Sequence, residues 1–326
     1  MTLAILAGGF GLYILVVLGL ALYWCNQPET FKVTERLPES AIRSDGTPVP
    51  GTALVSSVIE IGETLLDKPG GFLHNDIAPP GSFLDNCPNW ECGSLMALRD
   101  AVRSLRNDFS RSQSQSLEDD DVKRADLQFA IDPKAWMFPS AEDEYREGIE
   151  ALKRYRETLG TSTSGPKSFH ARADNLADYL DVIEKRLGHQ GSRLSSSVSD
   201  PALTYAIAPR QEISSDMAGD TAERPRTPWN EVDDVFYCTR GYSWALLHIM
   251  QGIQIDFRDT LATKNAQELV SQIIADLEGA TRAMSSPIIL NGDGYGLLAN
   301  HSLTIASYIS RVNASVLDLK ILLKEG

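Results

Sequence analysis

Residues 3–24 read LAILAGGFGLYILVVLGLALYW and carry no charged side chain. As a helix, about 22 residues at 1.5 Å each reach roughly 33 Å, enough for a hydrocarbon core about 30 Å thick. Tyr23 and Trp24 close the run, where aromatic side chains suit a lipid–water boundary. A cleavable signal peptide is the rival reading. It has a basic start, a shorter apolar core and small residues at its cleavage site. Here no Lys or Arg precedes the core, and Tyr-Trp-Cys stands where small residues belong. The sequence therefore predicts an uncleaved anchor over residues 1–25, with the bilayer as partner through residues 3–24.

Sidedness is contested within the sequence. Lys32, Arg36 and Arg43 lie after the span, which by the positive-inside rule retains the body in the cytoplasm. A helix at the start of a chain, with almost nothing ahead of it, commonly exports the domain behind it. The reading adopted is a single-pass bacterial inner-membrane protein with a periplasmic body.

Beyond the anchor, residues 26–50 are polar and punctuated by Pro28, Pro38, Pro48 and Pro50, which predicts an extended tether. Residues 51–326 read as one helical domain. Leu54, Val58, Ile61 and Leu65 recur at helical spacing until Pro69-Gly70-Gly71. Leu95, Leu98, Val102, Leu105 and Phe109 form a second stripe. Tyr145, Ile149, Leu152 and Tyr155 form a third, opened by Ser140 with Asp143 as a capping pair. Leu176, Leu180, Ile183 and Leu187 form a fourth, for which Gly188 predicts the end. Residues 189–228 read as a long polar loop. Helical spacing resumes at Trp229 and is cleanest at the end, through Ile305, Ile309, Val312, Val316, Leu319 and Leu323. The run 287–290 alone looks strand-like. The fold class expected is all-α: one transmembrane helix followed by a helical bundle.

Composition narrows the partners. Lys and Arg number 30 against 44 Asp and Glu, a net charge of −14. Nucleic-acid affinity rests on neutralising phosphates, so no nucleic-acid partner is expected.

The segment GGFLHNDIAPPGSFLDNCPNWEC at 70–92, the Arg-containing helix after it and FSRSQSQSLEDDD at 109–121 are the most individual stretches. With the single N-terminal span, they resemble the bacterial DUF2333 family over most of the chain. The resemblance implies single-span envelope proteins with a helical body, and no activity to carry over.

Candidate sites are few. His74, Asn75 and Asp76 sit between Gly70-Gly71 and Pro79-Pro80-Gly81, a loop able to present an imidazole and a carboxylate to a ligand. The alternative is that Asn75 and Asp76 cap the turn while Phe72, Leu73 and Ile77 plug it into the core. Asp85 and Trp90 complete the ligand-binding set. Cys87 and Cys92 flank four residues, leaving open a local disulfide or two buried thiols; no other ligands complete a metal site. Residues 118–121 read as the acidic start of a helix in preference to a cation loop. Trp229, Tyr237, Tyr242, Trp244 and His248 are an aromatic set at helical spacing, expected in the core and only secondarily lining a cleft. Residues 291–296 read as the turn that launches the last helix. Gly-x-Ser-x-Gly, His-Glu-x-x-His and phosphate-loop patterns are absent, so no catalytic residues and no cofactor are expected. The leading functional reading is a helical interaction or scaffold module of the envelope. A periplasmic ligand- or glycan-binding protein comes second and an envelope hydrolase third.

Overall fold

A computed structural model describes residues 2–111, 117–159, 169–197, 227–284, 286, 288–292 and 297–325. The apolar helix α1 runs Thr2–Trp24, and the stretch Ile5–Trp24 is long and apolar enough to cross a membrane, none of it buried against the body. Nine further helices follow among the described residues. They are α2 Thr52–Asp67, α3 Asn86–Ser104, α4 Asp120–Phe129, α5 Ala141–Thr158, α6 Ala173–Ser196, α7 Val232–Asp256, α8 Arg258–Thr263, α9 Gln267–Ala280 and α10 His301–Glu325. The described residues hold no β-strand, only isolated bridges such as that between Asn291 and Asn300. The strand-like look of 287–290 is thus not realised at the described positions.

The helices begin where their first turns can be satisfied. Ser140 accepts from the Asp143 N–H at 3.2 Å, and Asp119 accepts from Asp121 and Val122 N–H groups, as capping predicts. At α2 the N-cap is Gly51 at φ +88°, which has no side chain to offer. Asp256 at the end of α7 substitutes: its Oδ2 accepts from Leu54 N at 2.7 Å and its Oδ1 from Ala53 N at 3.4 Å. Ends are closed in the same long-range fashion. Arg99 on α3 donates to Phe129 O and Ile131 O, capping the carbonyl end of α4.

The α3–α7 crossing is the centre of the bundle. A Cβ on Gly93 would fall 1.8 Å from Cys238 O, and one on Gly241 would fall 1.9 Å from Trp90 O, so the two backbones touch. Ser94 Oγ donates to Gly241 O at 3.0 Å across the same contact. α2 crosses α7 at Gly252, whose Cβ would meet Leu54 Cα at 2.8 Å. α5 then covers α2 through Ile149 at Gly62, and α4 covers α5. On the other side α6 and α10 pair, bridged by Lys320 to Asp181 and Glu184, while α9 fills between α7 and α10. Leu98, Val102, Leu152, Ile183, Ile249 and Val316 are buried in the shared core.

Two expectations need correction. Helix α6 does not stop at Gly188 but continues to Ser196, so residues 189–196 of the expected polar loop are helical. Gln190 is buried and its Oε1 accepts from Thr239 at 3.1 Å, and Leu194 is buried too; these contacts to α7 outweigh the glycines' weak helix preference. Residues 198–226 of that loop lie outside the described residues. The second correction concerns residues 26–50, which are not a free tether. They form two short 3₁₀ turns, Val33–Arg36 and Glu39–Ala41, and Val33 and Ala41 are buried against the body.

Candidate functional site

The 68–92 segment is built around a buried ion pair. Lys68 caps the end of α2, pairs with Glu91 of α3 and donates to Gly71 O. Glu91 also accepts from Leu73 N through both oxygens, at 2.9 and 3.1 Å. Burial pushes the Glu91 carboxyl up, and Lys68 and the loop N–H groups pull against it. Phe72 and Leu73 are driven into the core beside this pair.

Three of the polar residues singled out in the sequence, His74, Asn75 and Asp85, are engaged in fixing this loop. His74 Nδ1 donates to Pro88 O at 3.0 Å, and burial lowers its pKa, favouring the neutral ring. Asn75 Nδ2 donates to Ala135 O and Glu142 Oε2, both at 2.8 Å, tying the loop to the one before α5. Asp76 lies over Gly81, where a Cβ would be 1.9 Å from its Oδ2. Asp85 caps α3, accepting from Asn86 N at 2.8 Å. The four do not converge on a common cavity. Trp90 is the member of the set that lines one.

That cavity is a cleft of about 920 Å³ at the foot of α1. Its walls come from the last turn of α1 and the chain leaving it (Leu22 and residues 25–30), from Trp90, from Tyr237, Arg240 and Trp244 on α7, and from the end of α9 with the chain after it. Contacts between distant segments hold the walls together. Trp244 Nε1 donates to Glu29 O at 3.2 Å and its ring lies 5.0 Å from that of Trp90. Phe31 stacks on buried His248 at 3.7 Å with only 10° between planes, and burial lowers that imidazole to about pKa 4. Arg240 ties the floor together. Its Nε donates to Gln27 Oε1 at 2.9 Å and its other nitrogens to the carbonyls of Ala280, Thr281 and Arg282, closing α9. A cation at a helix C-terminus is favoured by the backbone dipoles, while burial pulls the Arg240 pKa down.

Of the aromatic set, Tyr237 and Trp244 line this cleft, Tyr242 and His248 are buried, and Trp229 is exposed outside it. Gln27, Glu29, Arg240 and Arg282 were not singled out from sequence. Their common location depends on a long-range meeting of three segments, which no local spacing signals.

The cysteines rearrange the sequence expectation. All four are free thiols. Cys87 and Cys92 both lie in α3, five residues apart and therefore on different faces, which places them outside the reach of a local disulfide. Each meets another cysteine instead: Cys87 contacts Cys25 and also donates to Trp24 O at 3.1 Å, and Cys92 contacts Cys238 at the α3–α7 crossing. Among the described residues no three His, Cys, Asp or Glu side chains gather as metal ligands. Glu118 is spent on Arg106 at 2.9 Å and Asp121 on Arg154 at 3.0 Å.

Taken together, these features define an all-helical protein that carries one membrane-length apolar helix and a cleft at its base. The chain belongs to the DUF2333 family, described as an uncharacterized protein conserved in bacteria, whose model matches residues 2–326. No curated protein and no solved structure matches it.

Proposed function

We propose that the protein is a membrane-anchored interaction module of the bacterial envelope, with its body on the periplasmic face of the inner membrane. It holds its 920 Å³ cleft at the bilayer surface to seat an envelope component. One observation carries this reading: the chain leaving the anchor is itself a wall of the cleft, so anchoring and binding share one structure. The volume is in the range of small-ligand sites, which are concave and mostly apolar with a few fixed polar groups. A glycan-binding role is supported by half-buried Tyr237, whose ring lines the cleft beside Gln27, Glu29 and Arg240, while Trp90 and Trp244 are buried as its backing. The hydrolase reading loses its support, because His74 is bonded to Pro88 O and the polar residues of the 74–85 loop do not share the cleft.

Two experiments test the proposal. A C-terminal reporter active only in the cytoplasm contradicts the periplasmic body. Photocrosslinking residues placed at Glu29 and Arg282, on the cleft rim, are expected to yield a discrete adduct in intact cells. The same group at Arg154, away from the cleft, is expected to yield none. Equal labelling from both places, or from neither, speaks against the cleft as a binding site.

A further inference from the structure

The anchor end of the bundle carries large apolar side chains that the core does not use. In the loop 76–85, Ile77 is 65% and Phe83 75% exposed; in the loop 132–139, Trp136 is 51%, Met137 52% and Phe138 96% exposed. Soluble surfaces seldom gather aromatic and aliphatic side chains in adjoining loops, and such patches mark sites of contact.

Their position relative to the anchor is fixed by contacts. The first loop is pinned to the last turn of α1 on both sides: a Cβ on Gly70 would lie 2.8 Å from the Trp24 ring, and Cys87 donates to Trp24 O. The second loop hangs from the first through Asn75 to Ala135 O, and Arg99 fixes its start through Ile131 O. The opposite end of the bundle lies where Arg106, in the π-helical turn Leu105–Phe109 that follows α3, pairs with Glu118 ahead of α4. Both apolar loops therefore stand at the level where the apolar helix ends.

We infer that these two loops enter the lipid–water boundary of the phospholipid bilayer beside the anchor, so that the body rests on the membrane and does not hang clear of it. This rests on the membrane-anchor part of the proposed function and adds the bilayer surface as a second contact. Trp136 and the phenylalanines have the amphipathic or apolar rings that favour this depth. Asp76, Asp85 and Asp132 flank the loops with Lys134 as the cation among them, and the whole chain carries −14. The contact is thus apolar and needs no anionic lipid; an anionic surface repels it weakly.

The test uses the full chain in phosphatidylcholine vesicles, with nitroxide labels in a variant lacking native cysteines and shown to be helical. Labels at Phe83→Cys and Phe138→Cys are compared with Leu12→Cys in the anchor and Leu117→Cys at the far end, where the native leucine is 95% exposed. The expected result is that positions 83 and 138 shift toward position 12, accessible to oxygen and protected from a water-soluble nickel chelate, while 117 stays aqueous. Positions 83 and 138 reading like 117 with position 12 in lipid overturns this inference and leaves the anchor intact. Position 12 reading aqueous overturns both. Protection that appears only when phosphatidylglycerol is added overturns the apolar basis of the contact.

Discussion

Replacing Gly241 with alanine tests the central crossing with a built-in control. The added Cβ would sit 1.9 Å from Trp90 O and 2.7 Å from Trp90 C. Ordinary contact begins near 3.4 Å, so α3 and α7 must part locally by roughly 1.5 Å. The obstacle is backbone, which cannot swing aside as a side-chain tip can. Overpacking a core costs about 1–3 kcal/mol when side chains can adjust. A backbone clash between two packed helices sits at the upper end, about 3 kcal/mol, or on the order of 6–10 °C in Tm. Gly93→Ala meets Cys238 O at 1.8 Å and belongs to the same class. Gly191 is also inside a helix, α6, yet a Cβ there meets nothing within 4 Å. Gly191→Ala is therefore expected to stabilise by about 0.5–1 kcal/mol through lower unfolded-chain entropy and better helix propensity. Thermal and urea melts of the three variants in detergent, followed by circular dichroism at the helical band, read the outcome. A Gly241→Ala protein melting at or above the parent, or a Gly191→Ala protein falling as far as Gly241→Ala, refutes the backbone-contact argument.

The contributions of Asp256 and Asp108 to stability are expected to fall as pH rises from about 4 to 7, opposed below about 6.5 by buried His248, whose lowered pKa acts in the other direction. Burial raises the carboxyl of Asp256 to about 7 and that of Asp108 to about 6, so between an unfolded value near 4 and these values the folded chain holds protons that the unfolded chain has lost. For Asp256 the full shift corresponds to about 4 kcal/mol as an upper bound, since the residue keeps some exposure. Asp256→Asn, whose amide oxygen still caps α2, is expected to flatten the dependence in that window; an unchanged slope of Tm with pH contradicts the assignment. Glu91→Ala strands Lys68 and the Leu73 N–H in the core and is expected to cost about 3–5 kcal/mol, with Lys68→Met, Glu91→Met recovering part of it in urea melts. An undiminished midpoint for Glu91→Ala removes the ion pair from the account. Under oxidised glutathione, peptide mapping is expected to find Cys25–Cys87 and Cys92–Cys238 linkages; a Cys87–Cys92 peptide shows α3 to be open at its start.

Much of the fold was legible because it is local. The uncharged span, the stripes of α2, α5 and α10, and the Ser140 cap depend on neighbours within one or two turns. The illegible part depends on partners far along the chain. Gly188 resembles a helix end until Thr239 on α7 is placed beside Gln190. Pro28, Pro38, Pro48 and Pro50 resemble a spacer until Phe31 finds His248 and Glu29 O finds Trp244. The candidate site divides in the same way. Trp90, Tyr237 and Trp244 stand out as aromatics, but that they face residues 25–30 is set by three segments meeting in space. The stretch 74–76 stands out as polar, and its use as a fastener for the 70–92 loop shows only in its bonds to Pro88 and Ala135.

The apolar helix α1 and the body are joined as one piece through residues 24–31. A distance distribution between nitroxides at Tyr23→Cys and Glu157→Cys, near the end of α5, measures it in the full chain reconstituted in nanodiscs. Residues 26–50 as a flexible linker would have a root-mean-square length of about 25–30 Å and a correspondingly broad distribution. A helix joined rigidly to the body gives a single narrow distance; a broad distribution of that scale shows the two to be unjoined.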